Sequence, residues 1–344
     1  MEKNKIKIGI IGYGNLGKGV KNAIEKNSDM ELVEIITRRP DAVKREEKNI
    51  PVFSFEKFEP IADVAILCGG SKGDIFGTSN NKELSRIRIP DPYSHGQGLY
   101  FAQFFNTVDS FDTHRRIFDY YHQIVKVAKL NRHTSIISAG WDPGTFSLER
   151  VLADSFIPEG KIYTFWGPGV SQGHSDAVRQ IPGVLDARSY TIPIKKSVEM
   201  VRKGENPDLK PGMMHKRVVY VVAHKDADKK EIEIKIKDMP NYFADYDTEV
   251  IFISEGALNK KHKEFPHCGS VILSGKTGRK NKAVIEYRCA WDSNPEATAS
   301  ILVACARACY RLNKEKRYGA FTMLEIPPCY YSFHCIEELV EQYI

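Results

Sequence analysis

Gly12-Tyr13-Gly14-Asn15-Leu16-Gly17 has the Gly-x-Gly-x-x-Gly spacing, between an apolar β-branched run, Lys5–Ile11, and a stretch at helical spacing, Leu16–Glu25. In a strand–turn–helix setting each glycine has a task. The first allows the tight turn, the second lets backbone approach a pyrophosphate, and the third lets helix pack on strand. The helix N-terminus adds amide donors and a partial positive charge toward phosphate oxygens. These residues predict a bound dinucleotide, touched by Gly12, Tyr13, Gly14, Asn15 and Leu16.

The end of the next apolar strand, Glu31–Thr37, decides which dinucleotide. An NAD site places an Asp or Glu about 20 residues on, bonding the ribose 2′-hydroxyl. Here the strand runs into Thr37-Arg38-Arg39, and Asp41 lies beyond Pro40, poorly placed for a ribose. A hydroxyl and two guanidiniums suit a 2′-phosphate, which an acid would repel. The expected cofactor is therefore NADP. Cys68, Gly69, Gly70 and Ser71, at and after the end of the buried strand Asp63–Cys68, complete the cofactor set.

A second group of residues points to chemistry on a small polar substrate. Trp141-Asp142-Pro143-Gly144 is followed by Phe165-Trp166-Gly167-Pro168-Gly169-Val170-Ser171-Gln172-Gly173-His174-Ser175-Asp176. Trp, Gly and Pro at this density predict tight turns around a hollow, not a helical core. Asp112 and Asp142 each stand at the C-terminal end of a predicted strand, where open α/β sheets bind ligands. Thr191, Arg217, His267 and Asn294 lie in later strands or turns. An Arg, a Thr hydroxyl and a His make a clamp for a carboxylate, and two aspartates can hold an ammonium group.

Together these runs resemble the meso-diaminopimelate dehydrogenase family. The resemblance extends to Val108-Asp109-Ser110-Phe111-Asp112-Thr113-His114, His215-Lys216-Arg217, Met239-Pro240-Asn241-Tyr242-Phe243, Pro266-His267 and Asn294-Pro295, in order over nearly the whole chain. It implies NADP-dependent oxidative deamination at the D-centre of meso-2,6-diaminopimelate, giving L-2-amino-6-oxopimelate and ammonium. It implies that Asp112 and Asp142 hold the D-centre amine, with Trp141 and Trp166 packing around it. Thr191, Arg217 and His267 would bind the distal L-centre, Asn294 would contribute nearby, and the enzyme would be a homodimer. The chain departs from the family pattern at Thr145, where relatives often carry Met, and in a foreign-looking segment at about 76–96.

These residues require a particular scaffold. Alternating strands and helices up to Ser135–Ala139 predict a Rossmann-type doubly wound parallel sheet over residues 1–140, with the 76–96 segment inserted. Longer alternating strands then predict a second α+β domain over 141–290, with an open mixed sheet for substrate binding and dimerisation. The apolar helix Pro295–Asn313 and a short helix at Ile336–Gln342 form a C-terminal segment, 291–344, packing back on the Rossmann domain. Arg38–Asn49 reads as a charged turn.

Composition limits the alternatives. The chain has 344 residues, 42% hydrophobic and 27% charged, which suits two globular domains and excludes disorder. The net charge of +6 is spread among acids, so no nucleic-acid patch is expected. The apolar run Ile8–Ile11 is too short for a secretory signal, and the expected location is cytoplasmic, with no membrane partner. Seven cysteines without a Cys-x-x-Cys pair signal neither a disulfide framework nor a metal site, and Cys305 and Cys309 read as buried small hydrophobes. A sugar- or inositol-type NADP dehydrogenase and a non-catalytic NADP sensor remain as rival readings. The first needs a Glu-Lys-Pro motif after the Rossmann strands, and Glu56-Lys57-Phe58 falls too early. The second needs no polar substrate cluster.

Overall fold

The structure, a computed structural model, describes residues 5–69 and 96–344. Most of the expected insertion at 76–96, and the cofactor candidates Gly70 and Ser71, lie outside the described residues. Contacts divide the chain into one unit of residues 1–148 with 295–344 and another of 149–294. The division falls inside a helix at 148/149 and at 294/295, a few residues from the expected boundaries at 140 and 290.

The first unit is built on β-branched strands buried on both faces. In chain order come β1 (Ile6–Ile11), α1 (Asn15–Glu25), β2 (Met30–Ile36), α2 (Pro40–Glu46), β3 (Val52–Phe53), β4 (Val64–Leu67), α3 (Gln97–Phe101), β5 (Asn106–Asp109), α4 (Ile117–Leu130), β6 (Thr134–Ile136) and the start of α5 (Thr145–Phe156). The seven-stranded sheet has the order β14-β6-β5-β4-β1-β2-β3, β14 being a late strand described below, and every pairing in it is parallel. Ile11 pairs with Ile36 and Leu67, and Leu67 with Asp109, so the strand ends share one edge. Arg38–Asn49 is not a plain turn. Pro40 at the first helical position, Asp41 in the first turn and Lys44 and Arg45 in the last support α2.

The second unit holds the rest of α5, then β7 (Lys161–Trp166), β8 (Gly169–Ser171), α6 (Gln172–Arg179), β9 (Val184–Pro193), α7 (Lys195–Arg202), α8 (Pro211–Met214), β10 (His215–Ala223), α9 (Lys229–Lys237), β11 (Asp247–Phe252), α10 (Glu255–Lys261), β12 (His267–Thr277) and β13 (Asn281–Trp291). Its strands form a mixed sheet, β11-β10-β9-β8, and an antiparallel one, β13-β12-β7. The turn-rich run after Trp166 ends in a true helix, because Gln172–Arg179 presents Ser175, Ala177 and Val178 inward.

The chain returns to the first unit through α11 (Asn294–Lys314), β14 (Gly319–Phe321) and α12 (Ile336–Tyr343). α11 buries Ala299, Leu302, Val303, Cys305, Ala306, Ala308, Cys309 and Leu312, and β14 extends the sheet by pairing with β6. Cys305 and Cys309 sit in this core as small apolar groups, and burial pushes the Cys305 thiol up to about 12. No helix among the described residues is long and apolar enough to cross a membrane.

One buried cation fastens this return. Arg307, 3% exposed, donates to both carboxylate oxygens of Asp29 at 2.6 and 2.8 Å, to Asn27 Oδ1 at 2.7 Å and to the Tyr331 carbonyl at 2.7 Å. Burial opposes ionisation of Asp29, but the Arg307 hydrogen bonds and charge outweigh it and hold the carboxyl below its ordinary value. Removing one partner of such a pair leaves a buried charge uncompensated. Arg307→Met should therefore cost about 3–5 kcal/mol in denaturant unfolding at pH 7. A depressed carboxyl contributes stability above its unfolded pKa and loses it as pH falls, so the gap between the two proteins should narrow below about pH 4. A loss under about 1 kcal/mol at pH 7 would contradict the pairing.

Candidate functional site

Strand ends of the first unit build a cleft of about 420 Å³, lined by Gly12, Tyr13, Gly14, Thr37, Arg38, Arg39, Phe55, Cys68, Gly69 and Gln97. Gly12 takes φ +91°, and a Cβ on Gly17 would overlap the Gly12 carbonyl, so those two glycines are needed to close the turn. Gly14 differs: nothing lies within 4 Å of where its Cβ would stand, which leaves open space for a ligand. Gly14 caps α1, Asn15 is its first residue, and Leu16 packs against the core.

Buried Thr37 accepts from the Arg39 amide at 3.3 Å, and the Arg39 guanidinium donates to the Tyr13 carbonyl at 3.4 Å. The Tyr13 hydroxyl donates to Glu47, which together with burial raises that phenol. No carboxylate lines the cleft among the described residues, two guanidiniums do, and Gln97 Oε1 is buried there without a hydrogen-bond partner. This donor set fits a dinucleotide carrying an extra phosphate. Phe55 and Gln97 escaped the sequence reading, since neither belongs to a spaced motif.

Asp112 and Asp142 belong to the same unit. Asp112 is exposed, three residues beyond β5, and Asp142 is half-buried in the turn before α5. That turn is tight. Thr145 N donates to the Gly140 carbonyl and Phe146 N to the Trp141 carbonyl, while Trp141 packs edge-on to Phe146 at 5.2 Å. A Cβ on Gly144 would overlap the Gly140 backbone. Thr145 caps back onto the Trp141 carbonyl at 3.3 Å.

The second unit gathers the other candidates. Arg217 and Thr191 are paired across β10 and β9, and the Arg217 guanidinium donates to the Thr191 hydroxyl. It also lies 4.2 Å over the Tyr246 ring. Its Nε is buried without a partner, and no carboxylate pairs with it among the described residues. Trp166 stacks on His215 and donates its amide to His215 Nε2 at 2.9 Å. A Cβ on Gly167 would overlap the Thr191 carbonyl, and one on Gly169 would crowd His267, so the Trp-Gly-Pro-Gly run draws Trp166, Thr191 and His267 together. Asn294 joins through its amide, which donates to the Phe265 carbonyl at 2.9 Å, two residues before His267.

Sequence reasoning missed three neighbours: Tyr246, His174 and His215. Burial, reinforced by the Arg217 charge, lowers both histidines to about 4, so they are neutral at pH 7. Ser171 fixes His174 through Nδ1 at 2.7 Å, and His174 Nε2 is buried without a hydrogen-bond partner. A guanidinium among neutral imidazoles and a hydroxyl has the chemistry to take a carboxylate.

A family model described as the diaminopimelic acid dehydrogenase C-terminal domain matches residues 140–293. A meso-diaminopimelate D-dehydrogenase of Acetivibrio thermocellus is 49% identical, covering 97% of this chain and 96% of that one. The chain belongs to the meso-diaminopimelate D-dehydrogenase family.

Solved structures of diaminopimelate dehydrogenases share the fold. A substituted form from Clostridium tetani, crystallised with DAP, is 44% identical with a TM-score of 0.87, covering 99% of this chain and 100% of that one. A C. glutamicum DAP dehydrogenase in complex with DAP is 38% identical over the same shares, also at 0.87. An engineered D-amino acid dehydrogenase bound to NADP+ is 37% identical, with a TM-score of 0.83 over the same shares.

The close approach at Gly167 yields a direct check. Its φ of +96° disfavours any L side chain, and a Cβ has no room beside Thr191. Gly167→Ala should lower stability by about 1–3 kcal/mol, read as a fall in melting temperature. An unchanged melt would show that this backbone approach is slack.

Proposed function

We propose that this chain is an NADP-dependent dehydrogenase that oxidatively deaminates the D-centre of meso-2,6-diaminopimelate to L-2-amino-6-oxopimelate and ammonium. The reaction is reversible and serves diaminopimelate and lysine biosynthesis. What carries the reading is the near-full-length kinship at 49% identity with a protein of that activity. The buried Arg217 receptor, which lacks a carboxylate of its own, supports it from the site's chemistry.

NADP, when bound, accepts hydride from the substrate Cα. In this reading the fingerprint glycines and the α1 N-terminus hold its pyrophosphate, and Arg38, Arg39 and Thr37 hold the 2′-phosphate. Arg217, Thr191 and His267 fix the distal L-centre, with Asn294 nearby. Asp112 and Asp142 hold the D-centre amine, which must lose a proton before Cα can release hydride. One of these carboxylates, or a water beside them, takes that proton. Trp141 and Trp166 pack around the D-centre and limit how it can turn, so that Cα–H is aimed. Water then adds to the imine carbon and ammonium leaves. A homodimer in the cytoplasm belongs to the same reading.

An assay of NADPH formation with the meso, LL and DD isomers tests the proposal directly. Turnover with meso but little or none with DD and LL fits oxidation at a D-centre with the distal L-centre bound, and turnover with LL would refute it. Arg38→Glu should weaken NADP binding at least tenfold more than NAD binding, because a carboxylate would face the 2′-phosphate (about 1.4 kcal/mol or more). Equal losses in titrations with both cofactors would remove Arg38 from the phosphate site. Arg217→Met should raise KM for meso-diaminopimelate by about 10- to 100-fold, the equivalent of one charge-assisted hydrogen bond, with KM for NADP nearly unchanged. An unchanged substrate KM would place Arg217 outside the site.

A further inference from the structure

Val108-Asp109-Ser110-Phe111-Asp112 carries two carboxylates three residues apart, and the functional reading uses only the second. Asp109, the last residue of β5, is 1% exposed. Its Oδ1 accepts the Phe111 amide at 3.0 Å and the Ser138 amide at 2.9 Å, and its Oδ2 accepts the Tyr120 hydroxyl at 2.6 Å. Its main-chain oxygen accepts the Ala139 amide at 2.8 Å. Burial raises this carboxyl, while the three donors pull it back.

The two amides on Oδ1 come from different loops. Phe111 immediately precedes Asp112. Ser138 opens the segment that runs through Gly140 to Trp141 and Asp142. β5 and β6 pair only through Thr107 with Ser135 and Val108 with Ile136. Beyond Val108 the ladder stops, and Asp109 continues the connection with its main-chain oxygen, which takes the Ala139 amide, and with its side chain, which takes the Ser138 amide. Ser138 is held at φ +52°, a region an L residue occupies at a cost, and its own hydroxyl is buried with no hydrogen-bond partner. Its conformation is imposed from outside, and the Asp109 carboxylate is the group that grips its amide. Tyr120 completes the device. Its ring stacks on Phe111 at 4.3 Å, and its hydroxyl stands where a Cβ on Gly98 would be.

We propose that Asp109 is a positioning residue of the reaction. One buried carboxylate ties the loop bearing Asp112 to the loop bearing Asp142, so that both are set before substrate arrives. This rests on the reading that those two aspartates hold the reacting amine. Misplacing a reacting group by about 1 Å costs on the order of 100-fold in rate. The clamp should therefore show in kcat and spare NADP affinity.

The test uses the full-length enzyme and four variants beside Asp112→Asn and Asp142→Asn as controls. Asp109→Ala should lower kcat by about 10- to 100-fold, with the NADP dissociation constant within about threefold of wild type. Asp109→Asn should restore most of the rate, since its Oδ1 still accepts both amides and its amide group can donate to Tyr120. Asp109→Leu, which keeps the volume without an acceptor, should not. Tyr120→Phe keeps the fold's apolar ring, removes one anchor, and covers the case in which Asp109→Ala fails to fold. In it the amides of Phe111 and Ser138 should exchange hydrogen faster, in step with a lower kcat. A folded Asp109→Ala at wild-type kcat overturns the proposal. So does a Tyr120→Phe that frees those amides without slowing turnover. Wild-type turnover in both controls refutes the amine-holding reading itself. Loss in the controls with none in the Asp109 or Tyr120 variants refutes the clamp alone.

Discussion

Parallel pairing in register is the constraint on which the first unit depends. Ile11 is level with Ile36 and Leu67, Leu67 with Asp109, and Val108 with Ile136, so five strands end at one edge. Every loop with polar work to do leaves from that edge. Parallel strands also leave unpaired backbone groups at their ends, and these must be satisfied. Gly12 N donates to the Ile36 carbonyl, Cys68 N to Ile11, and Ala139 N to Asp109, at 2.7 to 2.8 Å. The fingerprint turn, the Cys68-Gly69 turn and the Ser138–Gly144 segment are thus fixed by the same sheet that buries the core. A ligand laid along the edge meets atoms whose positions follow from Ile, Val and Leu packing behind it.

The second unit works by a different balance. Burying Arg217 is unfavourable, and the Tyr246 face and the Thr191 hydroxyl offset only part of that cost. Two neighbouring histidines are kept neutral. His215 Nε2 already accepts the Trp166 amide, and a second positive charge near Arg217 would be repelled. The result is a buried, under-satisfied cation. Such a group discriminates strongly for a carboxylate, because leaving it unpaired is costly.

Patterns with fixed spacing were legible in the sequence. The glycine fingerprint, the absence of an acid at Thr37-Arg38-Arg39, and the alternating strands of the second unit all appear in the structure close to where the sequence put them. Less legible was whatever depends on tertiary pairing. β14 is three residues long and exists because Thr134–Ile136 offers it an open edge. α2 was hidden by its charges, which on a short exposed helix flank the dipole and leave one buried residue, Val43. Within the site, Thr191 and Arg217 were visible as types, but Tyr246 and His174 reach Arg217 only through folding, whereas His215 stands two residues before it on the same face of β10. Asp109 was overlooked for the opposite reason. It stood in a noticed motif beside an exposed acid, and only burial distinguishes a strut from a reactant.

The polar hubs share a logic set by where they lie. Arg307 joins Asn27 and Asp29, at the entry to β2, to the returning helix, and there the acid and base can pair because no ligand needs either. At the opposite edge, loops must stay open to solvent for ligands to enter, so apolar packing cannot define their geometry. Directional hydrogen bonds to a buried acceptor can. Glu47 takes the Tyr13 hydroxyl beside the fingerprint, and Asp109 takes two amides and a hydroxyl beside the aspartate loops. Each is an acid that faces the protein, leaving other groups to face the ligand. Beside the fingerprint this division matters, since a carboxylate aimed into a cleft for phosphates would repel them.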